Sequence, residues 1–308
     1  MSTYTTKVHA KINLSLKVVG VLSNGYHALD SILCSINELY DTVSVSKRDD
    51  EQIVVKTVCG DNFPTNQVLQ LQTELNSIPS KHTAFRMAHL LQQEFGLCGV
   101  NIVVKKGIPM YAGLGGSSAA AAGVLIAFDN LFCLKLSSIQ ALNFAKQIGE
   151  DVPFMLYGGV ARQRDLDKKI AWLDTKICPQ NIIVLSHSKG ISTQECFKKY
   201  AQLCAKSNDI LHNDTMTEIL CSSVVDLNKD FYVHIDNDLL QSAKILDYKI
   251  EQSLQLLKYS GAIACSMSGS GSTCFGFYDK QNDLNAIVEK FKMKKDSQYC
   301  YVCSVFGC

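Results

Sequence analysis

Residues 109–122, Pro109-Met-Tyr-Ala-Gly-Leu-Gly-Gly-Ser-Ser-Ala-Ala-Ala-Ala122, decide how the rest of the chain is read. Gly113, Gly115 and Gly116 make a turn, Ser117 and Ser118 follow, and the alanine run predicts a helix to about Leu131. Upstream, Val100 to Val104 reads as a short apolar strand, so the order is strand, loop, helix. Backbone N–H groups at such a helix start converge on an anion, and the helix macrodipole adds about half a positive charge. No Asp or Glu follows Phe95 until after Phe128, and Lys105 and Lys106 lie just before the loop, so the local field favours phosphate. No lysine follows the glycines as in GxxxxGK[ST], and the GxGxxG spacing is missing. The same residues also read as a Ser-capped helix after a glycine turn.

Towards the N-terminus the chain alternates strictly. Val8, Ala10, Ile12, Leu14, Leu16 and Val18 fall on one strand face, and Lys11 and Asn13 share the other. A solvated face is the simple reading of that lysine. Ser23-Asn24-Gly25 is turn chemistry, which predicts a hairpin returning through Tyr26 and His27 to near Ser46. Ala84, Met87, Ala88, Leu91 and Phe95 recur at helical spacing, predicting a helix over 83–95 that Gly96 breaks. Ser138 to Ile148 reads as another helix. Asp151, two residues before Pro153, suits a helix N-cap.

The pair Gly158-Gly159 and the charged run from Arg162 to Lys169 mark a change of domain, giving 1–159 and 160–308. Strand-like 182–185 and 274–278 and helical 239–257 and 282–291 make the second half α+β. A second small-residue stretch, Ser266-Met-Ser-Gly-Ser-Gly-Ser-Thr273, lets a segment or a ligand approach the backbone closely, or is simply a tight turn.

Composition narrows the function. With 47% hydrophobic residues among 308, the chain can bury substantial cores. Thirty basic and 29 acidic residues give a net charge of +1, which offers no electrostatic case for nucleic acid. The 13 cysteines, an odd number, suggest free thiols in a reducing cytoplasm, and the opening residues lack the plan of a signal peptide. The apolar tract 119–128 falls short of the ~20 residues that span a bilayer, so no membrane partner is expected. Cys300-x-x-Cys303 with Cys308 has no nearby histidine, and zinc is not expected.

Taken together, Ala10-Lys-Ile-Asn-Leu14, Gly25-Tyr-His27, Pro109 to Ala122, Asp151-Val-Pro-Phe154 and Met267 to Thr273 resemble the GHMP kinase superfamily. Ile191-Ser-Thr193 with Phe197, and Asn237-Asp-Leu239, resemble members acting on a cytidyl diphosphate sugar alcohol. The resemblance implies a two-domain α+β fold with an interdomain cleft. The N-terminal domain would be ribosomal protein S5 domain 2-like and the C-terminal one ferredoxin-like. It also implies ATP at Pro109, Ala112, Gly113, Leu114, Gly115, Gly116, Ser117 and Ser118, with Mg²⁺ arriving on the nucleotide and no dedicated metal site in the protein. Asp151 would be the general base and Lys11 the cation orienting it, with Asn13, Gly269 and Ser270 near the acceptor. Tyr26 and His27 would meet the cytosine, with Phe197 completing an aromatic sandwich. A monomer or homodimer acting on a small molecule is expected. The sequence departs from that subfamily in having Tyr111 where glycine is common, Ala119 after the serines, and His82-Thr83 in place of Asn-Leu. Homoserine- or mevalonate-type kinases, or a non-catalytic nucleotide-binding relative, are the alternatives.

Overall fold

The computed structural model describes residues 2–23, 25–61, 63, 81–174, 181–187, 190–207, 229–292 and 298–305. In chain order its first elements are β1 (Thr3–Val21), β2 (His27–Lys47), β3 (Ile53–Cys59), α1 (Thr83–Phe95), β4 (Val100–Lys106), α2 (Gly116–Phe132), α3 (Ser138–Ile148) and α4 (Val152–Tyr157). There follow β5 (Val160–Arg164), β6 (Lys169–Trp172), β7 (Asn181–His187), α5 (Thr193–Ser207), β8 (Asp236–Asn237), α6 (Leu240–Leu246) and α7 (Lys249–Tyr259). The chain closes with β9 (Ala264–Met267), β10 (Cys274–Tyr278), α8 (Leu284–Lys292) and β11 (Gln298–Cys303). The fold is α+β, as the sequence predicts.

Two compact units interleave along the chain. The first comprises Met1–Ala10, Leu39–Met110 and Gly115–Tyr157, and the second Lys11–Glu38, Tyr111–Leu114 and Gly158–Cys308. In the first unit β3 runs parallel to β4, and β4 pairs antiparallel with the end of β2, Thr42 opposite Lys105. Helix α1 buries Ala84, Met87, Ala88 and Leu91, the stripe its sequence sets out, and stops at Gly96 in the left-handed region. Burial of a leucine such as Leu91 contributes about 1.5–3 kcal/mol. In α2 every residue from Ala119 to Leu125 is buried, because small side chains let neighbouring elements approach closely. Helix α3 is fixed by a capping box between Ser137 and Gln140.

The second unit contains a four-stranded antiparallel sheet in the order β11-β7-β10-β9. Its core joins Ile183 and Leu185 of β7 to Ile250, Leu254 and Leu257 of α7 and to Tyr278 of β10. β8 pairs in parallel with β1, and β5 with the start of β2. The 239–257 stretch reads as one helix but forms two, because Asp247 intervenes. Its Oδ1 accepts from Lys249 N–H and its carbonyl from Ile250 N–H, starting α7 afresh.

The β1 alternation is present, yet Lys11 and Asn13 are only 4% and 3% exposed, and the apolar face is buried as well. The polar face is therefore not a solvated one.

Candidate active site

In the first unit the residues around the start of α2 are tied from two sides. Gly115, at φ +78°, is the N-cap and makes no side-chain cap hydrogen bond, so the Ser-capped alternative does not describe this turn. Lys106 ends β4 almost fully buried, ion-paired to Asp41 of β2, and donates to Gly116 O at 3.1 Å. Asp41 is fully buried and also accepts from Gly107 and Ile108 N–H, each at 2.9 Å. Two amide donors and one ammonium thus compensate a carboxylate that burial would otherwise penalise heavily. A Cβ at position 116 would meet Lys106 Nζ at 2.9 Å and Ile108 Cγ2 at 3.2 Å, so a larger residue there would have to displace the lysine.

From α1, Thr83 Oγ1 donates to Ser117 O at 2.6 Å, and Ser117 Oγ donates to Thr83 Oγ1 at 3.2 Å. The neighbouring His82 caps α1. Its Nδ1 accepts from Ala84 N–H at 3.1 Å, which leaves Nε2 to carry the proton and donate to Thr57 Oγ1 at 3.2 Å. Burial, with the nearby Lys106 ammonium, pushes the His82 pKa down to about 4. The imidazole is neutral at physiological pH.

In the second unit Lys11 Nζ donates to Asn13 Oδ1 at 2.6 Å. Ser268 is the hub beside them. It accepts from Asn13 N–H at 3.2 Å and donates to Gly113 O at 2.9 Å, joining β1 to both small-residue stretches. Gly113 sits at φ +73°, and a Cβ there would strike the Ser268 carbonyl. Lys11 N–H donates to Leu114 O at 3.1 Å and Thr273 N–H to Ala112 O at 3.4 Å. Asn237 Nδ2 holds the second stretch by donating to Met267 O at 2.8 Å and Gly269 O at 2.9 Å, while Ser270 Oγ meets Thr193 Oγ1 at 2.9 Å.

His27 stacks on Phe197, centroids 5.0 Å apart and planes 23° apart, and Tyr200 meets the imidazole edge-on at 5.9 Å. Tyr26, the residue before His27, is 72% exposed.

Of the residues singled out in the sequence, the structure brings Lys11 to Asn13, joins Asn13 to Gly113 through Ser268, and pairs His27 with Phe197. Gly115 to Ser118 form the α2 start, and Pro109 is buried. Asp151 belongs to the first unit and Lys11 to the second. Asp151 is half-buried immediately before α4, with its carbonyl accepting from Met155 N–H at 3.1 Å. Sequence reading missed Asp41, took Lys106 only as part of a local field, and quoted Ser268 only within the second small-residue stretch. Asp41 has no local signal, since its partners lie 65 residues and more away. Thr83 stood out only as a departure from a familiar pattern.

The family model for the GHMP kinases N terminal domain matches residues 82–159, and that for GHMP kinases C terminal matches 223–295. A 4-diphosphocytidyl-2-C-methyl-D-erythritol kinase of Clostridium botulinum is 31% identical, over 94% of this chain and 95% of its own. One from Thermoanaerobacter pseudethanolicus is 32% identical over 95% of this chain and 93% of its own. The chain belongs to the GHMP kinase family. Among solved structures, a 4-(cytidine 5'-diphospho)-2C-methyl-D-erythritol kinase superposes with a TM-score of 0.76 at 22% identity, covering 99% of this chain and 100% of that one. A homoserine kinase from Cytophaga hutchinsonii gives 0.74 at 18% identity, covering 98% and 95%. At those identities the likeness establishes the GHMP kinase fold alone. GHMP kinases use ATP as phosphate donor. No described helix of this GHMP kinase is long and apolar enough to cross a membrane.

Proposed function

We propose that the chain uses ATP to phosphorylate the 2-hydroxyl of 4-diphosphocytidyl-2-C-methyl-D-erythritol. The observation that carries this is end-to-end identity of about a third with kinases bearing that name, at 31% over 94% of the chain. The stacked His27–Phe197 pair supports it independently, since an aromatic platform suits a cytosine ring.

ATP supplies the phosphoryl group. Phosphoryl transfer needs positioning and charge neutralisation more than covalent help from the protein. The α2 start offers the positioning: its N-cap carries no side-chain bond, and Lys106, ion-paired to Asp41, holds the Gly116 carbonyl. Asp151 takes the proton from the acceptor hydroxyl, and Lys11 orients that carboxylate and offsets developing negative charge. Asn13, held by Lys11 and Ser268, positions the acceptor, with Gly269 and Ser270. Tyr26 and His27 read the base against Phe197.

Among the described residues no group of three or more His, Cys, Asp or Glu side chains could hold a metal. The donor set at the α2 start is a hydroxyl, Ser117 Oγ, which suits Mg²⁺ carried on phosphate oxygens and retaining water. Modules 1–159 and 160–308 belong to the same proposal; the end of the N-terminal family match at residue 159 supports that boundary, although 11–38 and 111–114 pack with the second compact unit.

A coupled ADP-release assay with the cytidyl substrate tests the reading, with homoserine and mevalonate as competitors. Turnover is expected with the cytidyl compound alone, and none with it would overturn the reading. Asp151→Asn should lower kcat by about 10²- to 10⁴-fold with the fold intact. Near-normal turnover would remove Asp151 from the mechanism.

A further inference from the structure

We infer that Thr83 is a positioning residue for the nucleotide phosphates, acting through Ser117; this rests on the kinase reading above. The direction of the two hydroxyl hydrogen bonds carries the argument. A hydroxyl has one proton. Thr83 commits its own to the Ser117 carbonyl, which can only accept, at 2.6 Å. The remaining bond, at 3.2 Å, must then run from Ser117 Oγ–H to Thr83 Oγ1, so one threonine fixes both the carbonyl and the hydroxyl rotor of Ser117.

The neighbouring carbonyl, Gly116 O, is held from the other side by Lys106. Successive carbonyls of the first turn of α2 are thereby anchored to α1 and to β4, and the N–H groups of the same peptide units are aimed by that anchoring. Gly115 provides no side-chain cap that could do this. Thr83 is itself well placed to act as an anchor, because His82 caps the first turn of α1 from a buried position bonded to Thr57 of β3. The anchor also orients the Ser117 oxygen. With its proton turned to Thr83, the hydroxyl presents lone pairs outward.

Thr83→Val removes the hydroxyl at nearly constant shape. It should raise the KM for ATP by about 3- to 10-fold, the size of one or two lost hydrogen bonds, with the KM for the alcohol substrate held within about twofold. Thr83→Ser, which restores the hydroxyl, should bring the KM for ATP back towards wild type. Thr83→Ala is the second variant should valine be poorly accepted at the first helical position, and it should reproduce the shift. Calorimetry with an unhydrolysable ATP analogue should show the same loss of affinity independently of turnover. A purely structural role would lower the melting temperature and move both KM values together. An unchanged ATP KM in Thr83→Val and Thr83→Ala, or equal impairment in Thr83→Ser, would overturn the inference while leaving the kinase reading intact. Failure of the wild-type chain to bind the analogue would overturn the kinase reading itself.

Discussion

His82 makes stability depend on pH in a way that can be worked out beforehand. Its imidazole is 4% exposed and neutral, accepting from Ala84 N–H through Nδ1 and donating to Thr57 through Nε2. Protonating Nδ1 would break the cap and place a cation beside Lys106. The folded-state pKa is therefore depressed to about 4, against an ordinary 6.5. Between those values the unfolded chain binds the proton that the folded chain refuses, so stability rises with pH across this window. The contribution is fully present above pH 6.5 and is lost progressively as pH falls towards 4. At about 1.36 kcal/mol per unit, going from pH 7.5 to pH 5 should cost about 2 kcal/mol from this one group.

The perturbation that isolates it is His82→Asn, which keeps a capping side chain and removes the titration. Urea unfolding of both proteins at pH 7.5 and 5 gives two differences whose difference cancels every other titrating group. The wild type should lose about 2 kcal/mol more than the variant. In the wild type the His82 ring signals, followed by NMR, should show only about a tenth of the ring protonated at pH 5. Equal acid losses in the two proteins, or a His82 titration near 6.5, would refute the assignment of a buried neutral cap.

The Lys106–Asp41 ion pair and the His27–Phe197 stack can be tested in the same way. Lys106→Met should destabilise the first unit by about 3–5 kcal/mol, since Asp41 is left charged and buried, and adding Asp41→Asn should recover much of that; urea unfolding of the single and double variants checks it. Phe197→Ala should weaken binding of the cytidyl substrate by about 1–3 kcal/mol while leaving ATP affinity unaltered, read by calorimetry with each ligand.

What the sequence discloses about this chain is what is local. The helices at Thr83–Phe95 and Ser138–Ile148 and the strand at Cys274–Tyr278 have the limits expected of them, because the pattern that marks each is carried by its own residues and, for the helices, by the residues that flank them. The face shared by Lys11 and Asn13 was also legible, since strand alternation needs only neighbours. Whether that face meets water was not. Lys11 looks solvated in one dimension and is buried in three. The same limit hides Asp41 and Ser268, whose hydrogen bonds reach 65 and 255 residues along the chain.

Departures from a familiar pattern are the exception, for they point at long-range structure without describing it. His82-Thr83 is one, and it becomes the cap and the anchor of the α2 start. Tyr111 is another. It stands at φ +51°, in the left-handed region that glycine enters at no cost and a tyrosine enters at about 1–2 kcal/mol. The backbone on its C-terminal side has little freedom to relax, because Ala112 and Gly113 carbonyls are bound by Thr273 and Ser268. The conformation at 111 is therefore set by the loop's partners rather than by the residue occupying it. A sequence pattern that shows glycine there records the geometry, while this chain keeps the geometry and bears the strain.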